Sequence, residues 1–150
     1  MGDTMTFEQM NLDKNIIQAL HTLGYEKPLP VQEKVIPNIL LGTDCIVKSR
    51  TGSGKTASFA IPIIQNLEID ERSSQALVLT PTRELALQIQ QDFDRIGTFK
   101  KIKTLPIFGK QPFKFQKEDL KQRCHVVIGT PGRVLDHLQQ QTLDPSKIRY

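Results

Sequence analysis

Two runs constrain this chain most. Ala76–Thr80 (ALVLT) and His125–Gly129 (HVVIG) are mostly apolar and lack alternation, and each leads into a helical pattern. A strand with one wet face alternates apolar and polar residues. A run without alternation needs cover on both faces, which crossover helices supply between parallel strands. The sequence therefore predicts an α/β protein with a parallel sheet and helices on both faces.

The rest of the chain fits that frame. Leu12, Ile16, Ile17, Leu20 and Leu23 recur at helical spacing, with Asn11 as expected N-cap and Gly24 as the closing glycine. Val31, Val35, Ile36, Ile39 and Leu40 predict a second helix ending at Gly42 and bent by Pro37. Cys45–Lys48 reads as a short buried strand, and a helix should begin near Gly54 and kink at Pro62. Arg83–Ile96 is an amphipathic helix, Lys103–Phe108 a strand, Phe115–Arg123 a charged exposed helix, and Gly132–Gln140 a final helix.

Three stretches join a strand to a helix in the same way: SRTGSGKT (Ser49–Thr56), TPTRE (Thr80–Glu84) and GTPGR (Gly129–Arg133). Open α/β sheets bind ligands at the carboxyl ends of their strands, so the three corners are expected to line one working surface.

The first corner has the chemistry of a phosphate loop. Phosphate oxygens need backbone N–H groups aimed at them without side chains in the way, which Gly52 and Gly54 allow. A helix starting there adds free donors and a positive dipole end. Lys55 can reach the outer phosphates, and the Thr56 hydroxyl can ligate Mg²⁺. Ser49, Arg50, Thr51 and Ser53 complete the loop. Its first position is Ser49 where the general phosphate-loop pattern has glycine. That departure points to the A-x-T-G-x-G-K-T variant of helicases rather than to small GTPases or nucleotide kinases. The bland reading is a flexible loop with an exposed lysine.

In order and spacing, TGSGKT, PTRELALQ (Pro81–Gln88) and TPGR (Thr130–Arg133) resemble the first RecA-like domain of DEAD-box RNA helicases. GYEKPLPVQ (Gly24–Gln32) resembles that family's Q motif, with Phe7 as the isolated upstream aromatic. IFGKQPF (Ile107–Phe113), with Lys110 where a second glycine is usual, together with GTPGRVLDHL resembles the DbpA-like subgroup.

The resemblance implies a RecA-like P-loop NTPase that binds ATP with Mg²⁺ and unwinds RNA locally. Residues 1–42 would form a Q-motif helical region, and 43–150 an incomplete first domain that stops before the Walker B strand. The strands carrying Asp-Glu-Ala-Asp and Ser-Ala-Thr, and the second RecA-like domain, are expected beyond Tyr150. The 150 residues alone are accordingly expected to be inactive and poorly soluble.

In the Q motif, a glutamine amide offers adenine one donor and one acceptor. Gln32 is the candidate reader, Phe7 the candidate stacking ring, and Tyr25 a further contact. The alternative readings are a polar helix position for Gln32 and a core anchor for Phe7. Leu29 replaces the family's usual threonine, which removes one polar link to the phosphate loop. The other two corners suit an RNA backbone, since helix N-termini with arginines hold phosphates without reading bases. By resemblance the contacts are Pro81, Thr82, Arg83, Gly109, Thr130, Pro131, Gly132 and Arg133. Their structural alternatives are N-capping for the threonines and ion pairing for the arginines.

Charge agrees with an anionic partner. The chain carries +4, but residues 95–133 hold ten Lys/Arg against Glu118 and Asp119, leaving the remainder net acidic. A solvated helix face would look the same. A non-catalytic nucleotide- or RNA-binding module and a DNA-translocating ATPase remain alternatives. Cys45 and Cys124 read as buried thiols of a reducing compartment, and no Cys/His pattern suggests zinc. No segment suggests a membrane span. The expected setting is a cytoplasmic monomer acting on RNA in a sequence-tolerant way, with ribosomal RNA and ribosome assembly intermediates as candidate targets.

Overall fold

The computed structural model describes residues 4–150. Among the described residues, six α-helices and three strands follow in the order α1 (Lys14–Thr22), α2 (Pro30–Leu40), α3 (Lys55–Asn66), β1 (Ala76–Leu79), α4 (Arg83–Ile96), β2 (Thr104–Ile107), α5 (Phe113–Leu120), β3 (Val126–Gly129) and α6 (Pro131–Gln139). The chain forms two compact units. One runs to Asn66 and includes Arg95–Lys100, and the other holds Leu67–Asp94 and Lys101–Tyr150.

The first unit is helical. α1 starts at Asp13, whose side chain accepts from Asn15 N, and not at Asn11. Asn11 instead closes a preceding 3-10 turn in the left-handed conformation, φ 55°. Gly24 takes φ +81° and ends α1 as expected: Tyr25 N donates back to Leu20 O at 2.8 Å. Gly42 ends α2 in the same conformation. α2 packs against α3, and α3 continues through Pro62 to Asn66. Lys100 Nζ donates to Ile64 O at 2.6 Å and Gln65 O at 2.8 Å, so a lysine satisfies the last carbonyls of α3.

The second unit carries the sheet, in the order β1-β3-β2 and parallel throughout. Ala76 faces Val126, and Thr104 faces the same residue from the other side. β3 is buried at all four positions, as a run without alternation requires. Cover thins along β1, from fully buried Ala76 to Leu79 at 55% exposed. Beneath the sheet, Ile107, Cys124, Val127, Val134 and Leu143 form a buried cluster, packed by Leu77, Leu105, Leu120 and Leu138.

Three expectations need correction. Cys45–Lys48 forms no strand: Ile46 is fully exposed and Cys45 is exposed. An apolar strand is stable only with a ladder partner, and among the described residues this stretch has none. Cys45 is therefore not a buried thiol. Cys124 is, and burial pushes its pKa up to about 11. Lastly, α5 spans Phe113–Leu120 rather than 115–123, and it is not exposed all round: Gln116 is buried on its inner face.

Candidate nucleotide and nucleic-acid sites

In the first unit, Gly24, Tyr25, Glu26, Lys27, Leu29, Gln32, Gly52 and Gly54 line a cleft of about 470 Å³. It brings together the Q-motif-like segment and the glycine loop, which lie some twenty residues apart in sequence. The joining residue is Gln32. Its Oε1 accepts from Leu29 N at 2.9 Å, and its Nε2 donates to Gly54 O at 3.3 Å. Gln32 therefore supplies one half of a capping box for α2. Leu29, at the N-cap, has no acceptor for the other half.

An amide has two donor hydrogens and two acceptor lone pairs. With one of each used inside the protein, Gln32 still has one of each for a base edge. Gly54 is required twice over. Its φ of +90° disfavours any side chain, and an added Cβ would lie 2.6 Å from Gln32 Nε2 and 2.8 Å from Leu29 Cδ1.

The loop is held closed from inside. Lys55 Nζ turns back to donate to the carbonyls of Ser49 and, at 3.1 Å, Arg50, and the Ser49 and Ser53 hydroxyls bond to each other. Arg50, Thr51 and Gly52 are exposed, while Ser53, Gly54, Lys55 and Thr56 are half-buried at the start of α3. A phosphate oxygen offers Lys55 a stronger, charge-assisted bond than a neutral carbonyl does.

Phe7 is placed elsewhere. It is 1% exposed at the start of the turn Glu8–Met10 and does not line the cleft. The structure makes it a core anchor, the reading that the sequence left open beside stacking.

In the second unit two corners and a loop come together. Thr82 caps α4: its Oγ1 accepts from Leu85 N at 3.2 Å. Pro81, Thr82 and Arg83 are exposed, and the Arg83 guanidinium lies 4.8 Å over the Phe108 ring. At α6, Thr130 holds the N-cap position without a side-chain cap bond, and Pro131 and Gly132 are exposed. Arg133 is not a free cation. Its Nη1 donates to Gln111 O at 2.7 Å and Gln116 Oε1 at 3.0 Å, Nε is 3.7 Å from Asp136, and the side chain is only 16% exposed. Gly109 is half-buried in the β2–α5 loop, with open space where a Cβ would point.

Sequence reasoning missed Gln116 and His137. His137 is fully buried, with Nε2 2.9 Å from Gln116 Oε1 and Nδ1 2.7 Å from Thr142 Oγ1. Its ring stacks on Phe113 at 4.1 Å. Burial, then the Arg133 charge, holds its pKa below the ordinary histidine value, so the neutral imidazole is the resident form. The available signal was a histidine on the apolar stripe of α6 beside Val134 and Leu138.

Residues 29–150 match the DEAD/DEAH box helicase family. The chain belongs to that family. Among DEAD-box relatives, it is 51% identical over 144 residues to the ATP-dependent RNA helicase DbpA of Bacillus subtilis (strain 168), covering 96% of this chain and 30% of the relative. It is 41% identical to the DEAD-box ATP-dependent RNA helicase CshA of Geobacillus kaustophilus, covering 92% and 30%. The crystal structure of a DEAD box protein from the hyperthermophile Methanococcus jannaschii superposes with a TM-score of 0.90 at 41% identity, covering 96% of this chain and 39% of that one. The chain thus spans under a third of the length of these curated DEAD-box relatives.

Proposed function

We propose that this chain supplies nucleotide- and RNA-holding parts of an ATP-dependent RNA helicase, which couples ATP hydrolysis to local unwinding of RNA in the cytoplasm. The observation that carries the proposal is the Gln32–Gly54 bond across the cleft. It ties a residue able to read adenine to the backbone of a loop able to hold phosphates. Gln32 orients the base, Gly52 and Gly54 let the backbone approach the phosphates, and Lys55 exchanges carbonyl partners for phosphate oxygens.

Thr56 at the start of α3 suits Mg²⁺, a hard ion that keeps several waters and binds largely through nucleotide phosphates. Among the described residues no cluster of three or more His, Cys, Asp or Glu offers a separate metal cage, so the hydroxyl would act together with the nucleotide. RNA lies along the exposed residues Pro81–Arg83, Pro131 and Gly132 and the half-buried Gly109 and Thr130 between them. Backbone and hydroxyl donors there hold phosphates without reading bases, so binding is sequence-tolerant. Ribosomal RNA and assembly intermediates are the targets we propose, for a protein acting as a monomer.

The test is nucleotide titration of a full-length helicase carrying this chain. Gln32→Ala should weaken ATP and ADP binding several-fold and narrow the preference over GTP. Unchanged affinity and unchanged discrimination would contradict the adenine pocket.

A further inference from the structure

We propose that Lys110 is a phosphate-contacting cation of the RNA track, presented by a loop that Gln116 and Arg133 clamp at both ends. The inference rests on the RNA reading above and adds a residue to it.

Lys110 is exposed and takes φ +63°, a conformation that costs a lysine more than a glycine. Non-glycine residues stay in such regions only where the surroundings over-determine them, and those places cluster at functional sites. Here the surroundings are visible. The carbonyl before Gly109–Lys110, Phe108 O, accepts from Gln116 Nε2 at 2.9 Å. The carbonyl after the pair, Gln111 O, accepts from Arg133 Nη1 at 2.7 Å.

The two clamps are joined, because Gln116 Oε1 accepts from the same Arg133 Nη1 at 3.0 Å. Oε1 also lies 2.9 Å from His137 Nε2, which must donate to it. With Nε2 carrying the proton, Nδ1 of neutral His137 is an acceptor 2.7 Å from the Thr142 hydroxyl, which also lies 3.1 Å from His137 O. Among the described residues no buried side-chain polar atom of the cluster lacks a partner, and Gln116 and His137 are both buried, so the cluster holds one geometry.

The loop also adjoins the neighbouring corner, since the Arg83 guanidinium lies on the Phe108 ring. Lys110 is exposed two residues after Phe108, in the loop that Arg83 adjoins. Arg133 and Gln116 are positioning residues: they act on RNA through the loop. At φ +63° a glycine would carry less backbone strain than a lysine, so the position holds its charge at a backbone cost.

The experiment measures binding of a single-stranded oligouridylate to a full-length helicase carrying this chain, between about 50 and 200 mM salt. Lys110→Gly should hold or raise the melting temperature, because glycine accepts the backbone freely. It should also lower the log–log salt slope by about 0.7, one single-strand phosphate contact. Lys110→Arg should keep the slope. Gln116→Leu should lower it by a similar amount, and Lys110→Gly added to it should lower it little further. Lys114→Gln, on the exposed side of α5, should leave it intact. A steep native slope that Lys110→Gly does not change would overturn this inference alone, as would an equal loss from Lys114→Gln. Native binding without salt dependence would overturn the RNA reading itself.

Discussion

Leu29 and Gln32 show how one residue can serve two structures. Gln32 caps α2 through Leu29 N and reaches Gly54 O from the same amide. Leu29 leaves the reciprocal cap unmade, so Leu29→Thr should complete the box and stabilise the protein by about 1 kcal/mol. A denaturant midpoint that rises at unchanged slope would bear this out, and an unchanged midpoint would not. His137 gives a second residue-scale expectation. Its folded pKa is held below the ordinary value, so the unfolded chain takes up the proton first as pH falls. Its contribution to stability is constant above about pH 6.5 and declines from there down to the lowered folded value. Urea midpoints between pH 7.5 and 5.5 should fall more steeply for the native protein than for His137→Gln.

At the scale of elements, local pattern and tertiary partners can be told apart. α4 lies where its amphipathic period put it, Arg83–Ile96, and β1, β2 and β3 fall within the apolar runs that announced them. These elements carry their own signal: a period for the helix and absence of alternation for the strands. Cys45–Lys48 has the same apolar signal and no ladder, because pairing is not a local property. α5 was misplaced because its lysines outweighed the inward row of Phe113, Gln116 and Leu120, spaced three and four apart.

α3 shows a contact no pattern could announce, the capping of its end by Lys100 from thirty-five residues away. Burial holds that ammonium below the ordinary lysine range, while Asp13 opposes the shift. Lys100→Met keeps the apolar stem and loses two charge-assisted bonds at a half-exposed site. It should cost about 1–2 kcal/mol, read as a lower denaturant midpoint.

At the scale of the whole molecule, the candidate sites divide between the two compact units. The proposed adenine cleft and phosphate loop belong to the unit holding α1–α3, and the proposed RNA corners belong to the unit holding the sheet. The candidate phosphate loop is legible as a motif because phosphate binding demands glycines, a lysine and a hydroxyl at fixed spacing. The role of Arg133 was not, since a guanidinium bound to buried Gln116 and one bound to RNA look identical in sequence. Phe7 was ambiguous for the same reason, an aromatic ring serving a core or a base equally well.

Steady-state ATP hydrolysis decides whether the Lys55 loop binds the ATP that drives work on RNA. The assay uses a full-length helicase carrying this chain, with and without single-stranded RNA. RNA should stimulate turnover well above DNA of the same sequence, and Lys55→Ala should reduce turnover to background. An ATPase rate that survives Lys55→Ala, or one that DNA stimulates as well as RNA does, would contradict that role.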